Sequence, residues 1–232
     1  MSSAEKLKDK AEVYRNLQHI GNAHLYMSNV YAGNNFYKKA EKEVKTALDV
    51  LSKVDTNDVG LAYKANAHIF YSHIFKNKDQ PEKAIDQLIL ANEAFFQVED
   101  SVMMRSHLYV NYSNLAQEYT QLEKVDSARK YLQYAFDLRS EPEDLTWVDN
   151  AKTRGFIELL EGDEKTALKH FKDAEEISYR TGNRHRLSTI YEEILGIAKL
   201  TNNHELASEY LEKANKIILE TSEDKNKVLR QM

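Results

Sequence analysis

The segment AEKEVKTA, residues 40–47, has alanine at its two ends and valine at its fifth position. The pattern Ala-x3-Val-x2-Ala places these three side chains on one face of a helix, because residues three and four apart are neighbours there. The same pattern, with a large apolar residue in the middle, begins again at Ala84, Ala128, Ala167 and Ala207. The first alanine recurs at intervals of 44, 44, 39 and 40 residues. Five copies at this spacing predict an array of helical repeats.

The composition of the chain favours helices over sheets. Of 232 residues, 42% are hydrophobic and 30% charged, but only 7 are glycine and 2 are proline. Glycine most easily adopts the left-handed backbone conformations that many turns require, so its scarcity favours long helices joined by short loops. We therefore predict an all-α fold, an α-solenoid of about five antiparallel helix pairs. Apolar periodicity places ten helices near residues 3–32, 36–53, 58–76, 81–98, 101–121, 124–139, 144–161, 164–180, 184–200 and 204–220.

Alanine at the two outer positions of the pattern lets two antiparallel helices approach closely, and the large residue fills the space between neighbouring pairs. A short polar turn precedes each copy. Gly33 and Gly162 lie in two of these turns, and we expect each of them to end the preceding helix in a left-handed conformation.

These features resemble the tetratricopeptide repeat (TPR) family. In that family, helix A carries a small residue and an aromatic residue, and helix B carries alanine, a large residue and alanine. Small residues and aromatic partners three positions later are found here as Ser28 with Tyr31, Ser72 with Phe75, and Ala116 with Tyr119. Glu158 and Leu195 depart from the family pattern in the last two copies. The resemblance covers residues 16–220 and implies a right-handed superhelix, with HEAT-like repeats as the alternative architecture.

The chain shows no interior linker, so we expect one repeat domain over residues 16–220. Residues 1–20 extend the first helix, and we expect them to cap the array or to pack on a second chain, which would give a homodimer. Residues 221–232 are polar and are expected to form a fraying tail.

The resemblance also implies a concave groove lined by the A helices. The side chains expected to face a partner there are Asn22, Asn29, Asn66, His73, Lys76, Ser113, Gln117, Gln121, Lys152, Phe156 and Glu192. This set is rich in amides, which can bond both N–H and C=O groups of an extended peptide. The alternative is that these polar residues only solvate a helix face.

One TPR subfamily binds chaperone tails through a carboxylate clamp of lysine and asparagine. Asn29 matches one clamp position in this sequence. The neighbouring clamp positions hold Leu25, Phe70 and Ser113, which cannot supply the lysine and asparagine that the clamp needs. We therefore do not expect clamp activity.

Motifs for catalysis and for cofactors are missing from the sequence. There is no cysteine, no phosphate-binding glycine loop and no nucleophile elbow. The histidine pairs His19/His24 and His68/His73 are five residues apart, whereas a helical zinc site needs four. We expect a protein without enzymatic activity, cofactor or metal.

The net charge of −5 argues against a nucleic-acid partner, and no apolar run is long enough to cross a membrane. No signal peptide is visible, so we expect a cytoplasmic location, with a periplasmic or excised-domain origin left open. The preferred function is a non-catalytic scaffold that binds a protein or peptide in the groove. Two alternatives are a regulatory segment of a larger bacterial protein and a structural, self-associating protomer.

Overall fold

The computed structural model describes residues 3–54, 58–138 and 145–231; side chains at 3–11, 145, 184–185 and 221–231 lie outside the described residues. Within these ranges the chain forms ten helices and no strand. The helices are α1 (Ser3–Gly33), α2 (Tyr37–Ser52), α3 (Asp58–Asn77), α4 (Pro81–Phe95), α5 (Ser101–Gln121), α6 (Val125–Leu138), α7 (Leu145–Leu160), α8 (Glu164–Arg180), α9 (Arg184–Leu200) and α10 (His204–Gln231).

The all-α prediction is confirmed, and nine of the ten helices lie close to their predicted positions. The tenth does not end near residue 220, because α10 continues to Gln231. The chain divides into two compact units, Met1–Ser140 and Glu141–Met232. The first unit contains α1–α6, and the second contains α7–α10.

Each unit is built from helix pairs joined by tight turns. In the first unit, α1 packs on α2, α3 on α4, and α5 on α6. Neighbouring pairs meet where α2 packs on α3 and where α4 packs on α5. In the second unit, α7 packs on α8 and α9 on α10, while α8 packs on α9. We call the first helix of each pair the A helix and the second the B helix.

The alanine pattern lies at the contact between the two helices of a pair. In α2, the side chains of Ala40, Val44 and Ala47 are fully buried, and the corresponding residues of α4, α6 and α8 are buried too. The hydroxyl of Ser28 in α1 donates to the carbonyl oxygen of Ala40 across 3.0 Å. A side chain can reach the partner backbone at this distance only because neither residue carries bulk.

The turns between the A and B helices share one backbone geometry. In the first turn, the N–H of Phe36 donates to the carbonyl of Tyr31 over 2.8 Å, and the N–H of Asn35 donates to Ala32 over 3.0 Å. This is the Schellman arrangement, which satisfies the last carbonyls of a helix with one left-handed residue. That residue lies five positions before the first alanine in every copy, as Asn35, Asp79, Glu123, Gly162 and Asn202.

The structure confirms the prediction for Gly162, whose φ is +79°, and corrects the one for Gly33. Gly33 is the last residue of α1, and Asn35, with φ of +62°, is the left-handed residue of that turn. The reason is register: the bond from Phe36 to Tyr31 fixes the left-handed position two residues after Gly33. Asparagine adopts this conformation more readily than other residues with a Cβ.

We predict that Gly162→Ala lowers the free energy of unfolding by about 1 kcal/mol, because alanine is strained at positive φ. No heavy atom lies within 4 Å of the Cβ that the substitution adds, so the loss measures backbone strain alone. Gly196→Ala is the matched control, since Gly196 has the same open space but lies inside α9. For that control, urea unfolding is expected to show a free energy of unfolding that is about 0.5–1 kcal/mol higher than that of the unmodified chain. Equal effects of the two substitutions would contradict the turn geometry.

A second prediction concerns the contact between α7 and α8. A Cβ added at Gly155 would lie 2.8 Å from Cε2 of Phe171, which is fully buried. We expect Gly155→Ala to lower the free energy of unfolding by about 1–3 kcal/mol, because overpacking forces a buried ring to move. The measurement is again the free energy of unfolding in urea, compared between Gly155→Ala and the control Gly196→Ala. An unchanged midpoint would show that the two helices are not in close contact at Gly155.

Candidate functional site

Three A helices of the first unit carry a polar side chain at the same repeat position. These residues are Asn29 in α1, His73 in α3 and Gln117 in α5, spaced by 44 residues. Asn29 and His73 are exposed and Gln117 is half-buried. We call Asn29, His73 and Gln117 the polar row. The half-buried Asn22 and Asn66 occupy a second equivalent position, seven residues earlier on α1 and α3.

A lysine connects the polar row to a buried acid. The Nζ atom of Lys76 donates to Oε1 of Gln117 over 2.9 Å and lies 3.4 Å from Oε1 of Glu118. Glu118 is buried, and burial raises the pKa of its carboxyl, while the charge of Lys76 acts in the opposite direction. Lys76 therefore joins α3 to α5 and compensates a carboxylate beneath the row.

Gln121 forms a second connection between neighbouring pairs. Its Nε2 atom donates to Oδ1 of Asp79 over 2.7 Å. Asp79 is the left-handed residue of the turn between α3 and α4. The turn geometry described above therefore also fixes the position of one residue predicted for the groove.

The His73 ring keeps an exposed edge, although protein atoms crowd around it. This crowding removes water from the ring and, together with the nearby charge of Lys76, lowers the pKa of His73 to about 4. At neutral pH the imidazole is uncharged and offers one hydrogen-bond donor and one acceptor.

One predicted groove residue is wrongly assigned. Ser113 is only 1% exposed, and its hydroxyl donates to the carbonyl of Tyr109 in the same helix over 2.9 Å. Its repeat position is that of Leu25, which is also buried, so this position faces the partner helix rather than solvent. Neither side chain is open to solvent.

Glu118 and Asp79 are residues that the sequence interpretation missed. Glu118 occupies the repeat position of Ile74, which packs in the core between α2 and α3. The signal available in the sequence was a carboxylate at a repeat position that holds an apolar core residue in another copy. For Asp79 the corresponding signal was its place in a turn, five residues before Ala84.

The three predicted residues of the second unit have different surroundings. The Nζ atom of Lys152 in α7 donates to Oγ1 of Thr189 in α9 over 3.2 Å. Phe156 is half-buried, with its ring 5.2 Å from that of Phe171 and nearly perpendicular to it, so much of this side chain belongs to the core. Glu192 is exposed on α9. Lys152 and Glu192 keep accessible polar surface in this unit.

Two histidines connect the helices of a pair at equivalent positions. Nδ1 of His24 lies 2.6 Å from Glu43, and Nδ1 of His68 lies 2.9 Å from Gln87. Among the side chains that the structure describes, no three histidine, aspartate or glutamate residues converge as metal ligands. The described helices also include none that is long and apolar enough to cross a membrane.

Comparison with solved structures shows the fold. BtubC from P. vanneervenii aligns with a TM-score of 0.68 at 15% identity, over 96% of this chain and 93% of that chain. A putative kinesin light chain of Podospora anserina with TPR-like repeats aligns with a TM-score of 0.61 at 14% identity, over 88% of this chain and 97% of that chain. A chain of the APC/C hetero-tetramer Cut9-Hcn1 aligns with a TM-score of 0.56 at 16% identity, over 88% of this chain and 37% of that chain. No family model and no curated protein matches the sequence. The chain has a TPR-like helical-repeat fold, as its sequence predicted.

The pKa of His73 leads to a prediction about pH. The folded value of about 4 lies below the ordinary value of 6.5, so the unfolded chain takes up this proton first as the pH falls. His73 therefore reduces stability progressively between pH 6.5 and 4 and has no such effect above pH 6.5. An NMR titration, with the His73 signal assigned from the spectrum of His73→Gln, is expected to show its midpoint near 4. A midpoint near 6.5 would show that the ring is fully hydrated.

Proposed function

We propose that this chain is a non-catalytic binding protein whose polar row holds an extended segment of a partner polypeptide. The observation that supports this function is the recurrence of an accessible, uncharged polar side chain on three successive A helices. Charged residues make up 30% of the chain, and a surface that only needs solvation is usually built from them. The B helices follow that rule at another exposed repeat position, with Lys42, Asp86 and Lys130.

The spacing of the helices suits an extended ligand. Adjacent packed helices lie about 8–10 Å apart. A polypeptide in the polyproline II conformation repeats every three residues, or about 9.3 Å. Asn29 and His73, which lie on the packed helices α1 and α3, would therefore meet the same face of such a peptide. Contacts between α1 and α3, and the bonds of Lys76 and Gln121 between neighbouring pairs, hold these helices side by side.

The chemistry of the row favours recognition of the peptide backbone. The amides of Asn29 and Gln117 and the neutral ring of His73 can each donate and accept one hydrogen bond. Lys76 is the charged residue beside the row, and Glu118 compensates it from below. The partner segment should therefore be extended and should not need an acidic terminus.

The test selects peptides from a displayed random library with the whole chain as bait and measures their dissociation constants by fluorescence anisotropy. The triple variant Asn29→Ala, His73→Ala, Gln117→Ala removes the polar row. Each lost hydrogen bond weakens binding by about 0.5–1.5 kcal/mol. The selected peptides should therefore bind the triple variant at least about tenfold more weakly.

The matched control changes one exposed residue on each B helix, as Lys42→Ala, Asp86→Ala and Lys130→Ala. Peptide affinity should stay within about twofold of the unmodified chain in this control, because surface residues away from an interface contribute little. Circular dichroism confirms that both variants remain helical. The proposal fails if the row variant binds as well as the control, or if the library yields no binding peptide.

A further inference from the structure

Between α2 and α3, and between α8 and α9, neighbouring helix pairs share a core cluster built from the same repeat positions. In α2, Ala40, Val44, Ala47 and, one turn later, Leu51 are fully buried in one core cluster that contains residues of both α1 and α3. The corresponding positions of α4 and α8 are also buried. This B-helix surface packs on the A helix of its own pair, and the core cluster extends from it to the A helix of the next pair.

The last B helix leaves this surface uncovered. The corresponding positions of α10 are Ala207, Leu211, Ala214 and Ile218, which we call the tail face. Leu211 is 53% exposed and Ile218 is 62% exposed, whereas their counterparts in α2 are fully buried. Two large apolar side chains of a stacking surface therefore face solvent.

The A-helix side of the interface is apolar in α3 and α9, whereas α5 carries Asn111, Leu115 and Glu118 at the same positions. In α3 the positions are Ala67, Tyr71 and Ile74, which pack in the cluster formed with α2. The corresponding positions of α9 are Ile190, Ile194 and Ile197, and all three are buried. The spacing along the helix is four residues and then three, which matches the spacing of the B-helix pattern.

The first A helix leaves its own copy of this surface uncovered. The corresponding positions of α1 are Ala23, Met27 and Val30, which we call the head face. Met27 is 43% exposed and Val30 is 63% exposed. Exposed Ile20 and Tyr26 extend the apolar area on either side. Adjacent exposed apolar residues on one helix mark an interaction surface more often than isolated ones.

From these equivalences we infer that the tail face of one copy of this chain binds the head face of a second copy. The two faces carry the repeat positions that share a core cluster where α2 packs on α3 and where α8 packs on α9. A second copy therefore carries a surface with the required side chains at the required spacing. Because the two faces differ, the contact is heterologous and leaves a free face at each end of the pair.

This head-to-tail contact joins two different faces, whereas a symmetric dimer through the first helix would join two copies of the same face. The polar row is not part of the head-to-tail contact.

The test is sedimentation equilibrium of the whole chain over a concentration series from about 5 to about 500 µM. The average mass should rise with concentration. A head variant, Met27→Glu with Val30→Glu, and a tail variant, Leu211→Glu with Ile218→Glu, should each associate at least about 100-fold more weakly, because each buries unpaired charge.

Mixing the two variants gives the decisive result. The head variant keeps an intact tail face, and the tail variant keeps an intact head face. An equimolar mixture should therefore form a 1:1 heterodimer that does not grow further. The substituted side chains are exposed, and circular dichroism checks that helix content is unchanged. Neutral replacements, Met27→Gln with Val30→Thr and Leu211→Gln with Ile218→Thr, repeat the test without added charge.

A control places the same charges elsewhere, as Phe96→Glu with Val102→Glu, two exposed apolar residues outside both faces. This control should associate like the unmodified chain. The inference is overturned if the unmodified chain stays monomeric throughout, if the tail variant still dimerises by itself, or if the mixture of variants does not form a heterodimer.

Discussion

The close approach of the two helices in each pair is the constraint on which the rest of the structure depends. Alanine at both ends of the repeated pattern removes the bulk that would hold the helices apart, and the large residue between them is buried. The contact between Ser28 and Ala40, and the lack of space for a Cβ at Gly155, show how little room remains. Hydrophobic burial at these contacts stabilises a chain whose pairs expose too much apolar surface when separate.

The same constraint determines where function can lie. One side of an A helix packs on its partner in the pair and another side packs on the neighbouring pair, so the polar strip lies on the remaining exposed surface. On α1, α3 and α5 that strip carries Asn29, His73 and Gln117 at equal spacing. The side chain of Lys76 ties the strip of α3 to that of α5, so the polar groups are held by packed helices rather than by loops. Groups held in this way lose little conformational entropy when they bind a ligand.

The repeat pattern was enough to predict the ten helices, their pairing and the buried alanines, because all of these depend on periodicity. It was not enough to place Ser113, whose burial follows from its repeat equivalence to Leu25 rather than from its polarity. The left-handed residue at Asn35 instead of Gly33 depends on hydrogen-bond register, which composition does not reveal. The extension of α10 beyond residue 220 depends on weak local preferences at a helix end. Whether the polar row binds a peptide is a question of chemistry that periodicity does not address.

Enlarging one alanine of the pattern tests the central constraint most directly. Ala84 is fully buried between α4 and its partner helix, whereas Ala207, at the same motif position of α10, is only partly covered. The measurement is the free energy of unfolding in urea for Ala84→Leu and for Ala207→Leu. Close helix contact predicts a loss of about 1–3 kcal/mol for Ala84→Leu, because the larger side chain must separate the pair, and a smaller loss for Ala207→Leu. Equal stability of the unmodified chain and Ala84→Leu would contradict the account.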